Sequence, residues 1–166
     1  MTTLGIDVGI ANTGYGIIAE KGSTLIKRYC GVIRTASDIP IHLRLKKIYD
    51  AVIEVIHEHQ PEVVVLKELS PNRKFSNVLT VGQVQGVVML AAANANLDVR
   101  SYTSNQVKQS IVGSSKASGH QVQQMVKVLL GLKEIPRPDQ ADALALAICH
   151  LRSYKMQNLY QRLALE

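Results

Sequence analysis

An unbroken apolar run, Val63 to Leu66, follows Pro61 and ends against Lys67 and Glu68. A strand wetted on one side alternates apolar and polar residues. A continuous β-branched run suits a strand buried on both faces, as at the centre of a parallel sheet. Such a sheet needs helices on both faces, and the flanking sequence supplies them. Residues 2–8 read as a strand, "GIANTG" as a turn, and residues 15–33 as a hairpin about Lys21-Gly22. Ile41, Leu45, Ile48, Val52 and Val55 keep helical spacing until Pro61, with Ser37 and Asp38 as candidate caps. After the valine strand, taken as 62–69, come a helix over about 77–95, a strand over 97–103 and a short helix from Ser104 or Asn105. Ser118 and Gln121 have capping-box spacing before a helix that buries Val122, Met125, Val126 and Leu129 and ends at Gly131. "IPRP" then leads into a last helix near Asp139. The fold class is α/β: a mixed five-stranded sheet, antiparallel at its start, flanked by helices. Residues 1–154 are expected to form one domain, and 155–166 a C-terminal tail that frays.

Composition narrows the partners. The chain has 166 residues, 46% of them hydrophobic, which is enough for a sizeable core. Its net charge of +6 favours a polyanionic partner. Cys30 and Cys149 have no metal-ligand spacing and read as free thiols in a reducing compartment. No apolar run is long enough to cross a membrane, and the N-terminus has no signal-like pattern, so a soluble, cytoplasmic protein is expected.

The residues that suggest chemistry are three acids. Asp7 ends "LGID", where Leu4, Ile6 and Val8 alternate with Gly5, Asp7 and Gly9. It is the sole large polar group on a face otherwise made of glycine, a face suited to close approach of a ligand. Asp139 and Asp142, at i and i+3, share one face of the last helix. Helix capping by Asp139, with Asp142 in the first turn, accounts for that pair equally well. If the three acids converge, their hard oxygens suit Mg²⁺ or Mn²⁺. The five histidines, at 42, 57, 59, 120 and 150, show no ligand spacing and read as solvated or structural.

"GIDVGIANTGYGII", "RLKKIYDAV", "LTVGQVQGVVMLAAA", "VKQSIVG", "QVQQMVKVLLGL" and "IPRPDQADALALAICH", in this order, resemble the RuvC family of Holliday-junction resolvases, within the RNase H-like superfamily. The resemblance spans about residues 3–152. It implies an RNase H-like fold and a homodimer that binds four-way DNA junctions. It also implies symmetric cleavage dependent on Mg²⁺ (or Mn²⁺), two ions per site, leaving 5′-phosphate and 3′-hydroxyl ends, and a branch-migration helicase as partner.

Three of the family's four catalytic and metal-holding acids carry over as Asp7, Asp139 and Asp142. Counting back from "VGQVQG", the fourth position falls on Lys67, with Glu68 one residue late. A one-residue offset sends a side chain to the other face of the sheet. A bulge after Leu66 would turn Glu68 inward and complete the set Asp7, Glu68, Asp139 and Asp142. The unbulged register is favoured, because "VVVLKEL" has no glycine to ease a bulge, and it sets an ammonium among the acids. At ~4 Å and an effective dielectric of ~20 such a contact is worth about 4 kcal/mol, enough to compete with a metal. A junction-binding protein with impaired cleavage is therefore the alternative to an active nuclease. The turn "DVGIANTG" also admits a nucleotide-binding ATPase, though such enzymes need two domains of this kind.

The family's aromatic residue after the valine strand is Ser70 here, which cannot stack on a base. Lys108 matches a DNA-contacting lysine, and a second family lysine aligns with Gly119, leaving Lys116 and His120 as neighbours. Arg73 and Lys74 border the expected cleft. Phosphate contacts of this kind carry affinity without reading sequence. The helix bearing Gly82 and Gly86, four apart, is a candidate dimer surface, with internal packing as the competing explanation.

Overall fold

The computed structural model describes residues 1–70 and 75–164, apart from the side chains of Phe75 and Ser76. Five strands, β1 (Thr2–Asp7), β2 (Asn12–Lys21), β3 (Thr24–Arg34), β4 (Val63–Lys67) and β5 (Asp98–Tyr102), form one sheet in the order β3-β2-β1-β4-β5. β1, β2 and β3 pair antiparallel, whereas β4 lies parallel to both β1 and β5. The helices are α1 (Ile41–His59), α2 (Phe75–Asn94), α3 (Ser104–Val112), α4 (Gly119–Leu129) and α5 (Pro138–Leu163). The valine strand is flanked on both edges and buried on both faces, with Val63 to Leu66 at most 4% exposed. The mixed α/β sheet expected from the sequence is therefore present.

Strand alternation divides the core into two. Leu4, Ile6, Val64 and Leu66 point to α1 and α2, packing with Ile48, Val52, Val84 and Val88. Val63 and Val65 point the other way, to α3, α4 and α5, with Val107, Val122, Leu144 and Ile148. On this second face β1 and β2 present glycines, and α5 lies directly on them. A β-carbon at Gly5 would overlap the Ala143 carbonyl oxygen, and one at Gly14 the Asp139 carbonyl oxygen. At Gly16 it would come within 2.7 Å of Leu144 Cδ2. The glycine face was expected to admit a ligand; a helix backbone fills most of it instead.

Several local expectations are corrected. β4 stops at Lys67, not 69, although the Glu68 N–H still donates to the Tyr102 carbonyl at 2.9 Å. β2 begins at Asn12, inside the stretch read as a turn. Ser37 and Asp38 do not cap α1. Pro40 holds the N-cap position, and its carbonyl accepts from Leu43 and Arg44 N–H at 3.0 and 3.1 Å, without a side-chain cap. The α3 cap is Thr103, in a reciprocal box with Gln106 equivalent to the anticipated Ser118–Gln121 box of α4. Asp139 does not cap α5: Arg137 is the N-cap and Pro138 follows, which leaves Asp139 inside the first turn. α5 runs past residue 155 to Leu163, and Lys155 pairs with Glu20 at 2.6 Å.

The contact of α5 with the glycines predicts a sharp position dependence. Gly5→Ala or Gly14→Ala forces α5 off the sheet and should cost at least ~2 kcal/mol, because the obstacle is backbone and cannot change rotamer. Gly22→Ala, where a β-carbon meets no described atom within 4 Å but φ is +62°, should cost only the ~1 kcal/mol of a left-handed residue. Urea unfolding midpoints would check both.

Candidate active site

Asp7 is the last residue of β1, and Lys67 the last of the parallel neighbour β4. Their shared edge is the crevice at the carboxyl ends of the strands, where open α/β sheets bind ligands. Gly5 pairs with Val65 and Ile6 with Leu66, so the register carries Lys67 alongside Asp7. No register shift interrupts β4 on either edge. The unbulged register therefore holds, and Lys67, not Glu68, meets the acids. Glu68 is exposed and lies one residue on, where alternation directs a side chain to the opposite face of the sheet. It drops out of the set expected from the sequence.

The N-terminal end of α5 supplies the other two acids. Because α5 rests on Gly5, Gly14 and Gly16, its first turns reach the end of β1. Lys67 Nζ is 2.9 Å from Asp7 Oδ1 and 3.2 Å from Asp142 Oδ2, so one ammonium bridges two carboxylates. Burial raises the Asp7 carboxyl above its ordinary value; Lys67 pulls it down, and Asp142 and Asp139 push it up. Burial alone would lower Lys67, but Asp7 and Asp142 outweigh it and hold the ammonium above the ordinary lysine range. The cluster is half-sheltered, with side-chain exposures of 22% for Lys67, 20% for Asp7 and 39% for Asp142.

Two clefts open from this cluster on different sides. One, of about 450 Å³, is lined by Asp7, Gly9, Asn12, Asn77, Thr80 and Asp139 among others. The other, of about 140 Å³, is lined by Lys67, Ser104, Lys108, Gly119 and Asp142 with apolar neighbours. Lys108, which the family resemblance offered as a DNA contact, thus lines the same cleft as Lys67 and Asp142. Lys116 and His120 are exposed at the end of the loop before α4 and at its start, beside Gly119. Ser70 is exposed past β4, and Arg73 and Lys74 lie outside the described residues. Asn12, Asn77 and Ser104 were not singled out from the sequence. Asn12 had a visible signal in the polar turn after Asp7; Asn77 and Ser104 join the clefts only through the packing of α2 and α3. The two histidines in ring contacts are structural: His59 stacks on Tyr29 at 5.2 Å, and His150 Nδ1 bonds the Tyr102 hydroxyl at 2.9 Å.

The donor chemistry fits one hard divalent cation. Mg²⁺ is commonly held by one or two carboxylates plus substrate phosphate and water, and Asp7 and Asp139 share the larger cleft. A second ion shared by Asp7 and Asp142 does not fit, because Lys67 Nζ bonds both. Among the described residues, no three His, Cys, Asp or Glu side chains converge as a ready-made metal cage.

The model of the crossover junction endodeoxyribonuclease RuvC family matches residues 3–150. A crossover junction endodeoxyribonuclease RuvC of Caldanaerobacter subterraneus is 45% identical over 157 residues, covering 94% of this chain and 95% of that one. The structure of Thermus thermophilus RuvC superposes with a TM-score of 0.86 at 37% identity, over 95% of this chain and 97% of that one. The same Thermus protein, solved in complex with a Holliday junction substrate, also gives 0.86, at 35% identity over 94% of this chain and 96% of that one. The relatives are named as nucleases and lend no support to a binding protein without cleavage. With its five-stranded mixed sheet, Asp7 and Asp142 brought together at the end of β1, and matches along nearly its whole length, the chain belongs to the RuvC family of crossover junction endodeoxyribonucleases.

Proposed function

We propose that this protein binds four-way DNA junctions as a homodimer and hydrolyses two strands symmetrically, leaving 5′-phosphate and 3′-hydroxyl ends, in DNA recombination and repair. The observation that carries the reading is the convergence of Asp7 and Asp142, with Asp139 on the adjoining cleft, at the carboxyl end of β1 in a RuvC-family chain. Mg²⁺ or Mn²⁺ would be held by Asp7 and Asp139, and when bound it polarises a phosphate and lowers the pKa of water. The protein's own groups bind and orient. Lys108, on the cleft shared with Lys67 and Asp142, is suited to grip a phosphate beside the cut strand. Lys116 and His120 extend that contact along the backbone. Ser70 leaves no stacking group at the position of the family aromatic, so junction recognition rests more heavily on shape. Arg73 and Lys74, in the segment between β4 and α2, belong to the same proposed DNA surface.

The dimer reading draws on α2. Its Val84, Val88, Ala91 and Ala92 are buried on the side of α1, whereas Leu79, Met89 and Leu90 are 47–56% exposed. Among the described residues, a β-carbon on Gly86 meets nothing within 4 Å, and one on Gly82 meets Leu69 Cδ1 alone, at 3.9 Å. The open space at Gly86 supports an interface on this face of α2. A two-fold contact along this face would place two sites on one junction, as symmetric cleavage needs. A cytoplasmic location and a branch-migration helicase as partner follow from the same reading. Among the described residues no helix is long and apolar enough to cross a membrane.

The test is cleavage of a labelled synthetic four-way junction with Mg²⁺ or Mn²⁺. Paired symmetric cuts are expected, and binding no tighter than to linear duplex would overturn the reading. Asp7→Asn and Asp139→Asn should each reduce cleavage by more than ~100-fold at unchanged junction affinity, since even outer-shell partners of a metal are worth 10- to 100-fold. Lys108→Ala should lower the slope of log affinity against log salt by ~1. Leu90→Glu should shift the protein from dimer to monomer in sedimentation, leaving its helix content unchanged.

A further inference from the structure

Lys67 occupies the position of a cation. Its ammonium lies within hydrogen-bonding distance of two carboxylates from different elements, Asp7 on β1 and Asp142 on α5. Four β-strand residues before it are fully packed, and β4 runs without a bulge, so the backbone cannot rotate Lys67 away while the sheet is intact. The formal charges agree with the geometry. Asp7, Asp139 and Asp142 with protonated Lys67 leave two negative charges, which one divalent ion neutralises. A second ion would leave the cluster positive and stand against the ammonium.

We propose that Lys67 is a built-in cation taking the place of one metal, so that the site accepts a single divalent ion, on the Asp7–Asp139 side. The division of the surroundings supports this. The Lys67–Asp142 pair faces the smaller cleft with Lys108, whereas Asp7 and Asp139 face the larger one with Asn12 and Asn77. Asp7 is the shared element: one oxygen receives the ammonium, and the carboxylate also borders the larger cleft. A consequence is that Asp7 and Asp142 are held together without metal, where bare carboxylates would repel. The inference rests on the nuclease reading, and it specifies that site's occupancy.

Ion counting tests it. Mn²⁺ is titrated into the full-length protein and into Lys67→Glu and Lys67→Gln, with free Mn²⁺ followed by electron paramagnetic resonance and heat by calorimetry. The parent should bind one Mn²⁺ per chain, and Lys67→Glu two, the added ion at least tenfold tighter than any further binding to the parent. Without metal, Lys67→Gln should melt lower than the parent and recover more of the difference on adding Mn²⁺. Circular dichroism establishes that each variant is folded; if Lys67→Glu does not fold, the parent's stoichiometry and the Lys67→Gln melt decide. Two ions in the parent, or none, would overturn the proposal, as would an unchanged apo melt in Lys67→Gln. Junction cleavage on the same samples separates the two readings. Cleavage with two bound ions sinks the built-in cation alone, and one bound ion without cleavage sinks the nuclease reading alone.

Discussion

Everything at the site depends on how closely the backbone of α5 lies on β1 and β2. Helix and sheet ordinarily keep a layer of side chains between them, yet here Gly5, Gly14 and Gly16 remove that layer. The Ala143 and Asp139 carbonyls occupy the space that β-carbons would take. The helix therefore reaches the sheet near its N-terminal end and carries Asp142 to the Lys67 ammonium that also holds Asp7. From Ala143 to Leu151 the helix is buried throughout, which fixes its axis and hence the direction of its first turns. The approach matters for charge as well. It sets anionic side chains at the positive end of a helix dipole while bringing them toward a half-buried third acid.

The strand next to Asp7 decides how that charge is balanced. Parity is the whole of the matter: Val63 and Val65 face α5, so Lys67 does too, whereas Glu68 lies exposed past the end of the strand. A single inserted residue would exchange a cation for an anion at the centre of the site. Parallel pairing on both edges, Val63–Leu66 with β1 and Val63–Lys67 with β5, leaves no room for that insertion. The register shift that does exist in the sheet is on β3, where Arg28 is the extra residue opposite the Ile17–Ile18 step of β2.

Legibility followed the range of the interactions. Apolar runs and periodicity, with turn and proline signals, marked all five strands and all five helices, because burial of β4 on two faces and the apolar stripes of α1 and α4 are written in local sequence. The Ser118–Gln121 box was equally local. Ends were less legible. Ser37 and Asp38 have the chemistry of caps, but the fixed φ of Pro40 starts α1 later. Asp139 also has cap chemistry, and Arg137-Pro138 takes its place. Gly82 and Gly86 read equally well as packing or interface from sequence; in the fold, no described atom lies within 4 Å of a β-carbon on Gly86.

The sequence alone determined the class of fold, the family resemblance and the identity of three acids, since each depends on residue type and spacing along the chain. It also narrowed the fourth position to Lys67 or Glu68. Only the tertiary structure decided between them, because the choice rests on strand register, which neighbouring strands impose and a single strand cannot. The same holds for the glycines of β1 and β2. Their lack of side chains was plain in the sequence, but whether a ligand or a helix would fill the space depended on a segment more than a hundred residues away. Local chemistry named the groups; long-range packing chose which of them meet.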